Sequence, residues 1–167
     1  MTQREFHADD LQDIYKAIGG AVWHIQFLED VLVNCITMRL RIQRPGTVDS
    51  KTANAMLEEE REKTLGQLLK AASAGGLVHG ETEEAFRLVL DERNWLVHRS
   101  MHESGFAVET LEGRATFLER VEFLKDRSIA LKKSLAVNLF DWLQGQGVDV
   151  DTINAATEVR FRSHRGG

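Results

Sequence analysis

Residues 8–42 read ADDLQDIYKAIGGAVWHIQFLEDVLVNCITMRLRI, and the spacing of apolar residues in this stretch decides the fold class. Leu11, Ile14, Tyr15, Ile18, Val22, Ile25, Leu28, Leu32, Cys35, Ile36 and Leu40 recur at three- and four-residue steps. That period lines them along one side of a long amphipathic α-helix. Gly19 and Gly20 lie inside it at a cost of ~1 kcal/mol each against alanine, so a kink or a close helix contact is expected there. The pair Pro45-Gly46 ends the helix.

Outward from this stretch the same period repeats. A second helix starts at Asp49 or Ser50, carries Met56, Leu57, Leu65, Leu68 and Leu69, and stops at Gly75-Gly76. A third opens after Gly80 with Thr82 as N-cap, places Phe86, Leu90 and Val97 on its apolar stripe, and ends near Gly105. Residues 106–113, FAVETLEG, read equally well as an irregular excursion or as helix. A fourth long helix spans about Arg114 to Gln144, with Phe117, Val121, Leu124, Leu131 and Leu135 facing inward. Residues 151–161 add a short terminal helix, and the ends, 1–7 and 160–167, are expected to be disordered. Amphipathic helices with short connections bury their stripes against one another, so the expected fold is all-α: one domain over residues 1–167, an antiparallel bundle of four to five helices.

The chain has 167 residues, a net charge of −5, 43% apolar residues and a single cysteine. One cysteine excludes an internal disulfide framework and a cysteine-built zinc site, and points to a reducing compartment. No apolar run approaches ~18 uninterrupted residues, and none follows the first charges, so neither a membrane span nor a secretory signal is expected. A cytoplasmic protein follows. The acidic excess is spread along the chain, and only the tail RFRSHRGG is locally basic. A coat for nucleic acid normally carries a strong basic bias, which disfavours that role and leaves room for a local basic site.

The chemistry-bearing stretch is Asp91-Glu92-Arg93-Asn94-Trp95-Leu96-Val97-His98-Arg99-Ser100 in the third helix. Arg93 falls between Leu90 and Val97 on the apolar stripe. A guanidinium there must meet a carboxylate, an anion or a wet cleft, because leaving it buried and unpaired costs several kcal/mol. Asn94 and His98 are four apart and share a face. Arg93 and His98 are five apart, about 140° around an ideal helix, so they converge only through the arginine's reach, a local distortion or a second copy of the helix.

The run Arg93-Asn94-x-x-x-His98 resembles the R-x4-6-H signature of HEPN domains, small all-α bundles of bacterial toxin–antitoxin, abortive-infection and RNA-processing systems. One departure is that Arg99, rather than a small residue, follows the histidine. The resemblance implies metal-independent RNA cleavage at a homodimer cleft, with no cofactor and with an antitoxin or nucleotidyltransferase as a partner protein. In that chemistry His98 acts as general acid or base, Arg93 stabilises the phosphorane, and Asn94 orients the histidine or the phosphate. Trp95, Arg99 and His102 are then RNA contacts, with Trp95 the stacking residue.

A second reading stands beside the first. Arg93 pairs with Glu29 or Asp30 of the first helix, His98 is a satisfied interface histidine, and the bundle is a catalytically silent module that binds a protein, RNA or nucleotide. Other features carry less. His98 and His102 are spaced as metal ligands but lack a third partner, so no metal is expected. The run Arg39, Arg41, Arg44 suits a helix C-terminus and is a weaker RNA-contact candidate. Trp23, Trp95 and Trp142 fit core or interface faces better than base-stacking platforms, Trp95 beside the motif being the best stacking candidate of the three. Residues 58–62 (EEERE) read as a solvated face, and Cys35 reads as an inert core thiol.

Overall fold

The computed structural model describes residues 6–149 and 151–152. Among them are α1 (Ala8–Ile36), a π-helical turn (Thr37–Ile42), α2 (Ser50–Arg61), α3 (Leu65–Ala74), α4 (Gly80–His98), α5 (Ser100–Ser104), a 3-10 turn (Ala107–Glu109) and α6 (Leu111–Gly145), with no strand. The all-α bundle expected from the periodicity is what forms.

Several boundaries differ from the expected ones. The first helix runs without a break through Gly19 and Gly20. A Cβ built on Gly19 meets nothing within 4 Å, and one on Gly20 makes only an ordinary contact, 3.7 Å, with Lys125. The helix ends at Gln43, whose φ of 63° stops it before Pro45. His7 N-caps α1, so the expected disorder of residues 1–7 does not extend to it. Residues 1–5 and 160–167, and the terminal helix beyond Thr152, lie outside the described residues. Thr82 sits inside α4, whose N-cap is His79. The ambiguous FAVETLEG segment resolves into the 3-10 turn and a cap: the Thr110 hydroxyl accepts from the Gly113 N–H at 3.1 Å and starts α6.

The largest correction is in the second helix, which is two. Its break falls at residues 62–64, where Thr64 and Gln67 form a capping box: the Gln67 N–H donates to the Thr64 hydroxyl (3.3 Å) and the Thr64 N–H to the Gln67 side chain (2.9 Å). This extra reversal decides the direction of everything after it. α1 and α6 run parallel, as their contacts advance together: Asp10 with Arg114, Gly20 with Lys125, Phe27 with Lys132, Cys35 with the Leu135 carbonyl, Arg39 with Trp142. In an up-and-down four-helix order the first and last helices would oppose. α4 runs against α6, with Glu92 on Arg120 and Trp95 beside Phe117.

The core lies along the α1–α6 seam and is closed by α3 and α4. Leu28, Leu32, Phe86, Val89, Trp95, Val121 and Leu124 are all buried. Two inward serines satisfy their hydroxyls on their own helices, Ser128 donating to the Leu124 carbonyl (2.8 Å) and Ser100 to that of Leu96 (2.6 Å). Residues 58–62 are not uniformly solvated, because Glu60 is buried between Arg41 (3.2 Å) and Lys63 (2.7 Å). Arg41 is thereby a structural residue, also donating to the Met56 carbonyl. No helix is long and apolar enough to cross a membrane among the described residues.

Candidate active site on α4

α4 turns a different stripe inward from the one its sequence suggests. Phe86, Val89, Leu96 and Ser100 are buried, whereas Val97 is 52% exposed. Arg93 still falls on this inward line, between Val89 and Leu96 at steps of four and three. It is half-buried, and its guanidinium donates to the Asn94 side-chain carbonyl at 3.3 Å.

Of the two carboxylates expected to meet Arg93, Asp30 is taken by Arg61 at 2.9 Å. Glu29 lies near enough to feel the Arg93 charge. Burial pushes its carboxyl above the ordinary range, and Arg93 pulls it part of the way back. Among the described residues Arg93 makes no ion pair within 4.0 Å. It therefore lies within reach of a carboxylate's charge without an ion pair to hold it, and its remaining donors are available to an anion.

His98 is the last residue of α4 and is exposed. At Arg99 (φ −124°, ψ −23°) the helix breaks, and α5 continues after it. Arg99 and His102 are exposed on this short segment, and Arg99 faces Glu103 at 3.9 Å. Arg93 is half-buried and hydrogen-bonded to its neighbour Asn94, whereas His98, five residues on, is exposed at the end of the helix. No three His, Cys, Asp or Glu side chains gather to hold a metal among the described residues.

Trp95 takes the core placement that its helical face suggests, not that of a stacking residue. It is 1% exposed, its indole N–H donates to Glu103 at 2.9 Å, and Phe117 packs beside it. The Arg120 guanidinium lies 3.6 Å over its ring while holding Glu92 in a two-pronged ion pair of 2.6 and 3.0 Å. A base cannot stack on a ring covered in this way. The exposed tryptophan is Trp23, at 61%, which the sequence reading had put in a core or an interface. Cys35 is buried as expected, and burial pushes its thiol up to about 11, away from reactivity.

Two clefts flank α5. One of about 330 Å³ lies between α1 and α5 and is lined by apolar groups including Leu11, Ile14, Tyr15 and Met101. The other, about 390 Å³, is more polar and lies beside Trp95 at the start of α6, with Ser104, Thr110, Thr116 and Arg120 on its walls. The sequence reading missed both. The exposed Met101 lines the first of them. Comparison of the chain with protein-family models, with curated proteins and with solved structures finds no match.

Proposed function

We propose that this protein is a HEPN-like, metal-independent endoribonuclease that works as a homodimer, the toxic half of a toxin–antitoxin or phage-defence pair. The observation that carries the reading is the state of Arg93: a half-buried guanidinium within reach of the Glu29 charge but not paired with it, one and a half turns before a solvent-exposed histidine. A guanidinium in that position is ready for a phosphate, and imidazole titrates where RNA transesterification needs an acid–base group.

In this mechanism His98 takes the proton from a ribose 2′-hydroxyl as that oxygen attacks the adjacent phosphorus. Arg93, oriented by Asn94, stabilises the charge that builds on the non-bridging oxygens. The bond to the 5′-oxygen then breaks, the departing oxygen takes up a proton, and a 2′,3′-cyclic phosphate remains. Two copies supply the cleft, since Arg93 and His98 of one helix diverge. Arg99 and His102 flank the same surface as RNA contacts. An antitoxin or nucleotidyltransferase would act by covering it.

The test is incubation of the purified protein with RNA in EDTA, followed by analysis of the product ends. Cyclic phosphate ends formed without metal are the expected result. Cleavage that EDTA stops and zinc restores would contradict the mechanism and point to the His98–His102 pair. The exposed Val97 and Met101, at 52% and 86%, favour a second reading, a silent module whose α4–α5 surface binds a protein. Failure to cleave any RNA, with a stable partner complex lost on Met101→Glu, would support it.

A further inference from the structure

The outward side of α1 carries an apolar line that nothing among the described residues covers. Leu11, Tyr15, Gly19, Trp23 and Phe27 follow one another at four-residue steps, which is the ridge that helices interlock when they pack. Tyr15 is 63% and Trp23 61% exposed, with Leu11 and Phe27 also open to solvent. Trp23 and Phe27 meet edge to face, ring centroids 5.3 Å apart, and the tip of Lys132 reaches over Phe27 from α6. In the middle of this line stands Gly19, whose missing side chain leaves open space. The helix thus carries a destabilising residue that no intramolecular contact requires.

We infer that this ridge is the contact surface for a second copy of the chain, α1 against α1, antiparallel and crossing at Gly19. The ridge is symmetric about that glycine. Tyr15 and Trp23 stand four residues to either side, Leu11 and Phe27 eight. A two-fold pairing needs each residue to suit its opposite number, and here Tyr15 meets the partner's Trp23 and Leu11 meets the partner's Phe27. On the flank Gln12 opposes the partner's Gln26, so the pairing sets no like charges against each other along the ridge. Glycine at the crossing lets the two backbones approach closely.

The ridge offers three partly exposed aromatic rings, Tyr15, Trp23 and Phe27. Aromatic side chains bury about 150–250 Å² each when fully covered, and apolar patches of more than a few hundred Å² mark interaction sites. Met101 extends the surface, sharing one cleft with Leu11, Tyr15 and Ile18, and Val97 stands one turn before it on α4. This continuity links the ridge to the motif. α4 runs against α1, with Ser100 and Met101 level with Ile14 to Ile18, so His98 stands near the height of Gly19. An antiparallel two-fold there keeps both α4 helices on one side of the α1 pair and brings the two His98 side chains toward the axis. The pairing stands on the ridge alone; its link to catalysis rests on the ribonuclease reading.

The experiment is sedimentation of the full chain at micromolar concentration, with oxidative cross-linking of Gly19→Cys. A disulfide requires Cα atoms about 4.4–6.8 Å apart, which singles out the crossing point, and the native Cys35 is buried, so the wild type serves as the control. We expect a wild-type dimer, a single cross-linked species from Gly19→Cys, and a dissociation constant raised on the order of tenfold or more by Trp23→Glu or Tyr15→Glu, with the helical spectrum unchanged. A monomeric wild type, or a dimer indifferent to both charge substitutions, overturns the pairing. RNA cleavage measured on the same samples separates the two ideas. A dimer that cleaves RNA but is indifferent to both charge substitutions ends the pairing and leaves the ribonuclease, while an inert dimer sensitive to Trp23→Glu does the reverse.

Discussion

Trp23 lies in the middle of α1 and Trp95 in the last turn of α4, and they meet opposite environments. Trp95 is enclosed: Phe117 beside it, Arg120 across its face, Glu103 on its indole nitrogen. Trp23 is open, touched mainly by Phe27 one turn along its own helix. The difference is one of partners. α4 is closed on the side that faces α6, whereas α1, held mainly by α6 and α3 along its inner side, has no element over Tyr15 and Trp23 among the described residues. What serves stability in this fold is on the closed side, and what is left for another molecule is on the open one.

The sharpest way to break that comparison is to truncate each ring. Trp95→Ala should cost ~3–5 kcal/mol in a urea titration, as a large buried aromatic leaves a cavity. Trp23→Ala should change the stability of the protomer by no more than ~0.5 kcal/mol, as exposed substitutions do. Equal losses would show that α1 is covered in the protomer after all.

Two glycines extend the contrast at smaller amplitude. A Cβ on Gly113 would sit 2.1 Å from the Ala107 backbone carbonyl oxygen, so Gly113→Ala should destabilise by ~1–3 kcal/mol through forced displacement of the 3-10 turn. Gly19→Ala meets open space and should instead stabilise the dilute protein by up to ~1 kcal/mol. Thermal melts of the two variants should therefore move in opposite directions. A Gly19→Ala protein that melts lower would mean that α1 is strained in a way its geometry does not show.

Glu29 sharpens the comparison in a third, smaller way, since it marks where the closed and open sides meet. Its carboxyl is raised by burial, with Arg93 opposing. A raised folded-state value means that the folded protein binds the proton more tightly than the unfolded chain. Stability is then lost as pH rises from the unfolded value through the folded one. Glu29→Gln should remove that decline, giving a higher urea midpoint than wild type near neutral pH and convergence in acid. A lower midpoint at neutral pH would mean that Glu29 and Arg93 act as a stabilising ion pair, the structural alternative to an anion-ready arginine.

How much of this was legible in the sequence follows from where two physical choices compete. α1 and α6 were legible because their apolar residues keep one phase over many turns, and only a helix satisfies that. The break at residues 62–64 was written in Thr64-x-x-Gln67, a capping signature, but the apolar residues Leu57 and Leu65 on either side masked it. The phase of α4 was not legible. Phe86-Leu90-Val97 and Phe86-Val89-Leu96 are both valid stripes, and the choice falls to α6, which offers Phe117 and Arg120 to enclose Trp95. That single choice moved Trp95 inside and Val97 outside. The motif residues kept their expected helix, but sequence spacing alone could not show that Asp30 is engaged by Arg61 while Glu29 stays near Arg93.

The central claim is that His98 and Arg93 perform RNA cleavage from this surface, and the rate of cleavage in EDTA by wild type, His98→Ala and Arg93→Ala tests it most directly. With helical content unchanged in all three, the account predicts losses of about 10²–10⁴-fold for His98→Ala and on the order of 10²–10³-fold for Arg93→Ala. A His98→Ala protein that cleaves RNA at the wild-type rate would contradict it.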